Sequence, residues 1–114
     1  MLISTEVHGD VLSLRVEETR IDAAGALIFK ETVRDRLADH AGRVVLDMEN
    51  VEFLDSSGLG SLVAVMKMLD GDRRLELARS GPLVVKVLRL TRMDRVFVLH
   101  EDLPWTAPDD QDAA

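Results

Sequence analysis

Apolar residues along this chain fall into short alternating runs and longer helical stripes that follow one another in a regular order. Leu2–Val7 and Val11–Val16 are β-rich and partly alternating, and His8-Gly9-Asp10 between them supplies turn chemistry, so the two segments read as a hairpin. Ala26, Phe29, Val33 and Leu37 then recur at helical spacing, which predicts a helix capped by Asp22, running to about Ala41 and stopped by Gly42. Arg43–Met48 carries Val44, Val45 and Leu46 in succession, as expected of an inner strand covered on both faces. Leu59, Leu62, Val63, Met66 and Leu69 mark a second helix, opening at Ser57 and ending near Asp70-Gly71-Asp72. In Arg74–Ala78, Leu75 and Leu77 alternate with Arg74 and Glu76, which predicts another strand. Ser80-Gly81-Pro82 opens a third helix, with Pro82 at the first helical position and Leu83, Val84, Val87 and Leu88 as its core face. Val96–Leu99 is the last strand.

The order is ββαβαβαβ. Such alternation places the chain in the α/β class, a small mixed β-sheet with packed α-helices. One domain is expected over residues 1–100, followed by an acidic, Pro-containing tail over 101–114 that reads as frayed. Trp105, the only tryptophan, lies in that tail, where it either docks back on the domain or marks a partner contact.

Charge narrows the partners. Of the 114 residues, 21 are acidic and 14 are Lys or Arg, for a net charge of −7. A surface of that sign repels a phosphate backbone and suits a basic protein partner, so nucleic acid is not expected. The absence of cysteine excludes disulfides and thiolate metal sites. The N-terminal Met1-Leu2-Ile3-Ser4-Thr5-Glu6 has neither a basic start nor a long apolar stretch, and no uncharged apolar run approaches the roughly 20 residues of a membrane span. A cytoplasmic location without membrane insertion is the expectation.

Candidate chemistry concentrates at Asp55-Ser56-Ser57-Gly58, between the strand Arg43–Met48 and the helix that follows. Asp and Ser are common helix caps, and this alone explains their placement. A serine at a helix start is also held out of the core, where an added phosphate would meet unpaired backbone N–H groups and the positive end of the helix dipole. Other chemistry lacks support. Ser57-Gly58-Leu59-Gly60 is not a Gly-x-Ser-x-Gly elbow, His8, His40 and His100 are scattered, and there is no phosphate-binding loop. Asp70-Gly71-Asp72 lacks the ligands of a calcium loop. No enzyme, metal or cofactor is expected.

Leu54-Asp55-Ser56-Ser57-Gly58-Leu59-Gly60, after the strand Val44–Met48, closely resembles the signature of the anti-sigma factor antagonists, small stand-alone STAS domains of bacteria. The resemblance extends over about Leu2 to His100 and implies the STAS fold. It further implies that Ser57, with Ser56 as the alternative, is phosphorylated by a Ser/Thr kinase that is itself the anti-sigma factor. A phosphatase then resets the switch. By the same resemblance Asp22, Asp55, Ser56 and Gly58 belong to the partner-binding surface. The unmodified form binds the kinase and frees the sigma factor, and phosphorylation switches binding off. Two family positions differ here: Thr19 precedes Arg20-Ile21-Asp22 where the family has Gly, and Arg92 replaces the Gly before the last strand, implying a differently shaped turn. Some STAS domains instead act as scaffold subunits of transport or other signalling complexes with no phosphorylation switch, and this is the alternative role.

Overall fold

The computed structural model describes residues 2–105. Among them lie β1 (Ile3–His8), β2 (Val11–Val16), β3 (Arg20–Ile21), α1 (Ala26–Leu37), β4 (Arg43–Asp47), β5 (Phe53–Leu54), α2 (Ser56–Met68), β6 (Glu76–Ala78), α3 (Pro82–Leu90), a 3-10 turn at Met93–Arg95, and β7 (Val98–His100). The main sheet has the order β1-β2-β4-β6-β7, antiparallel between β1 and β2 and parallel elsewhere. This is the mixed sheet that the alternation predicted, with β4 at its centre. Two further strands were not foreseen: β3 and β5 form a separate parallel pair, with Ile21 opposite Leu54. Each is two residues long, too short for any periodicity to register.

One face of the sheet carries the helices. Leu14, Val16, Leu46, Leu75 and Leu77 project into a core completed by Phe29 and Val33 of α1, Leu62 and Val65 of α2, and Val84 and Leu88 of α3. Full burial of side chains of this size contributes about 1.5–3 kcal/mol each. Several boundaries move. Helix α1 begins at Ala26 rather than at Asp22, with Gly25 at its cap, and ends at Leu37 rather than near Ala41. Leu83 is 44% exposed instead of lying in the core, because α3 turns only Val84 and Leu88 fully inward. The last strand is Val98–His100 rather than Val96–Leu99. At Arg92 the backbone is left-handed, with φ +61, a conformation that glycine adopts without steric cost, and the 3-10 turn follows.

The opposite face combines buried, ion-paired carboxylates with a small apolar cluster. Glu76 is buried on this face, because alternation assigns a side without showing what covers it. Its carboxylate accepts hydrogen bonds from Arg43 at 2.6 and 2.8 Å and lies 2.7 Å from Nε2 of His100. Arg79 grips the buried Asp47 through both Nε and Nη2. Leu103 and Trp105 pack on this face against Val11, Val45 and Ala78, and the Trp105 ring stacks on His8 at 4.3 Å. Of the acidic segment at 101–114, residues 106–114 lie outside the described residues.

Burial pushes the Glu76 carboxyl up, but the hydrogen bonds from Arg43 and His100 outweigh it and hold Glu76 below the usual carboxylate range. A carboxyl more acidic in the folded than in the unfolded state stabilises the fold above its unfolded pKa of about 4.3, and that contribution disappears as pH falls through the folded value. Denaturant unfolding between pH 7 and pH 2.5 is therefore expected to show Glu76→Gln less stable than the parent at pH 7, with the gap narrowing below about pH 4. A gap that stays constant with pH would refute this.

Candidate functional site

The turn at Asp55-Ser56-Ser57-Gly58 stands at the start of α2 and beside the start of α1. Asp55 is the N-cap of α2: its Oδ1 accepts from the Gly58 backbone N–H at 2.8 Å. Its Oδ2 accepts from the Ala23 N–H at 3.1 Å, so one carboxylate ties the start of α2 to the turn that leads into α1. A cap of this type contributes about 1 kcal/mol, and the bond to Ala23 adds a constraint on relative position.

Gly58 is buried, and the reason is steric. A Cβ added here would lie 1.9 Å from the backbone oxygen of Ile21 and 2.8 Å from a Leu54 methyl. The glycine thus lets α2 rest directly on the β3–β5 pair. Two residues on, Gly60 has open space around it. Ser61 is buried and donates its hydroxyl to the Gly58 carbonyl at 2.6 Å.

Asp22 lies at the end of β3 on the same side. The Arg20 guanidinium, bonded to it at 3.0 Å, and the backbone N–H groups of Ala24 and Gly25 hold its carboxyl below the usual carboxylate range. Its backbone carbonyl accepts from Gly25 and Ala26, so Asp22 shapes the turn that leads into α1 without being the helix cap. Arg20 in turn lies 4.3 Å above the Phe53 ring, its register partner in β5.

The structure therefore gathers Asp22, Asp55, Ser56, Ser57 and Gly58 at one end of the molecule. Both Ser56 and Ser57 are exposed, but they face different surroundings. Ser57, not Ser56, lines a groove of about 240 Å³ between the two helices, with Ala26, Leu27 and Lys30 from α1 and Gly60, Ser61 and Ala64 from α2. Leu27, which lines this groove, is 59% exposed, so an apolar side chain adjoins the serine. Arg20, Phe53, Leu27 and Lys30 were not singled out from sequence. The β3–β5 pair and the groove arise from segments about 30 residues apart, and local spacing carries no signal for them.

Comparison with known proteins follows the same lines. The family model described as "STAS domain" matches residues 3–113. A STAS-domain containing protein of Pseudomonas aeruginosa is 29% identical over 90 residues, spanning 78% of this chain and 87% of that protein. The anti-sigma-F factor antagonist RsfB of Mycobacterium tuberculosis is 28% identical over 83 residues, covering 73% of this chain and 68% of RsfB. Among solved structures, an anti-sigma factor antagonist from Mycobacterium paratuberculosis superposes with a TM-score of 0.79 at 28% identity, covering 90% of this chain and 86% of that one.

Proposed function

We propose, because this chain belongs to the STAS domain family, that it is an anti-sigma factor antagonist whose docking is switched by phosphorylation of Ser57. The observation that carries this reading is the exposed Ser57 on the first turn of α2, at the edge of a groove that exposed Leu27 also lines. RsfB and the Mycobacterium paratuberculosis protein, both named as anti-sigma factor antagonists, support the regulatory role.

The mechanism follows from the surface. In the unmodified protein, the helix starts and the apolar part of α1 dock on an anti-sigma factor kinase, which then releases its sigma factor. The kinase brings ATP, the Ser57 hydroxyl takes the γ-phosphoryl group, and ADP leaves. The product carries about −1.5 to −2 extra charges at the centre of the contact surface, which opposes re-docking. A phosphatase restores the hydroxyl. Asp55 holds α2 so that Ser57 projects outward, and Asp22 with Arg20 forms the rim. The work of this chain is binding, in a bacterial cytoplasm, and no helix among the described residues is long and apolar enough to cross a membrane.

Incubation with the cognate anti-sigma kinase and ATP, followed by peptide mapping in a mass spectrometer, is expected to place one phosphate on Ser57. Ser57→Ala is expected to remove it. Phosphate at Ser56 alone would move the switch out of the groove, and no phosphate at all would favour the scaffold role.

A further inference from the structure

We propose, resting on the reading of Ser57 as phosphoacceptor, that Lys30 receives the phosphate: its ammonium pairs with phosphoserine 57 across the groove between α1 and α2. The modification is thereby drawn into the groove instead of standing free in solvent.

Three observations lead to Lys30. It shares the groove of about 240 Å³ with Ser57, and the remaining lining, Ala26, Leu27, Gly60, Ser61 and Ala64, is small or apolar and carries no charge. Lys30 is thus the one charged side chain lining that space among the described residues. It is also uncommitted: no hydrogen bond or ion pair engages it among the described residues, whereas Arg20, Arg43, Arg73 and Arg79 each hold a carboxylate. An unpaired surface lysine is ordinary, but one that faces a candidate phosphoacceptor across an otherwise neutral groove is not.

Direction is the third. Asp55 ties the start of α2 to Ala23, just ahead of α1, so the two helices begin at the same end. Ser57 is the second residue of α2 and Lys30 the fifth of α1, and both line the same groove. Side chains on a helix lean toward its N-terminus, so the flexible four-carbon stem of Lys30 leans back toward the serine. Small side chains on α2 leave the path clear.

A nearby cation stabilises the phosphate dianion more than the monoanion and so lowers the second phosphate pKa from its ordinary value of about 6. For a solvent-accessible pair the shift is about half a pH unit. The test uses phosphoserine encoded at position 57 during translation, so no kinase is needed, and follows the phosphorus-31 NMR shift against pH at low salt. The parent chain is compared with Lys30→Gln and Lys30→Arg. The expected result is a second pKa about half a unit lower in the parent than in Lys30→Gln, largely restored in Lys30→Arg. Equal pKa values in all three chains would overturn the proposal. Because the partner is absent, a failure of the anti-sigma reading leaves this measurement intact, and a failure of the pairing leaves the binding switch to be judged on its own.

Discussion

Protein fully phosphorylated on Ser57 is expected to bind its anti-sigma kinase at least about a hundredfold more weakly than the unmodified chain. Even with Lys30 beside it, the phosphate leaves up to one negative charge uncompensated in the contact surface: uncompensated or like charges across an interface cost several kcal/mol, and each 1.4 kcal/mol is about tenfold in affinity. Ser57 is exposed at the helix start, and its hydroxyl has no partner within the described residues, so the added group displaces no packing. The phosphorylated chain should therefore keep its circular dichroism spectrum and its melting temperature within a few degrees of the parent. Titration calorimetry with both forms gives the ratio. Undiminished affinity of the phosphorylated form would defeat the switch, and a molten spectrum would show that binding fails through unfolding. Ser57→Asp is a weaker version of the same experiment, because a carboxylate carries one charge and two acceptor oxygens against the phosphate's three.

The second large effect is on stability. Gly58→Ala is expected to destabilise the fold by about 2–3 kcal/mol, since its Cβ would enter the space of the Ile21 carbonyl and force α2 off the β3–β5 pair. Backbone cannot yield as a flexible side chain can, and Gly58 also donates the N–H that Asp55 caps. Gly60→Ala is the internal control. It sits in the same helix with open space around it, so the gain in helix propensity should stabilise by about 0.5–1 kcal/mol. Urea unfolding of the two variants should move the midpoint in opposite directions. If Gly58→Ala proved as stable as the parent, the close approach of α2 to Ile21 would be wrong.

Local pattern made much of this molecule legible. Three consecutive apolar residues at Val44-Val45-Leu46 announced the central strand, and Asp55 before a helical stripe announced the start of α2. Elsewhere the same pattern fell short for identifiable reasons. Alternation gave no sign that Arg43, 33 residues away, and His100, 24 residues away, close over Glu76. Leu83 looked like core by its spacing, yet α3 offers only one stripe to the sheet. Arg92 gave no hint of its left-handed backbone beyond standing where the family has glycine.

The amino-acid sequence by itself determined the order of strands and helices, the acidic character of the surface and the family signature around Ser57, because periodicity, capping and composition act within a few residues of one another. Only the tertiary structure decided that Ser57, rather than Ser56, lines a groove, that Lys30 and Leu27 form its other wall, and that Gly58 rests on Ile21. Those relations depend on how α1 and the β3–β5 pair pack against α2. Packing joins residues about 30 positions apart, and no local interaction encodes the distance between them.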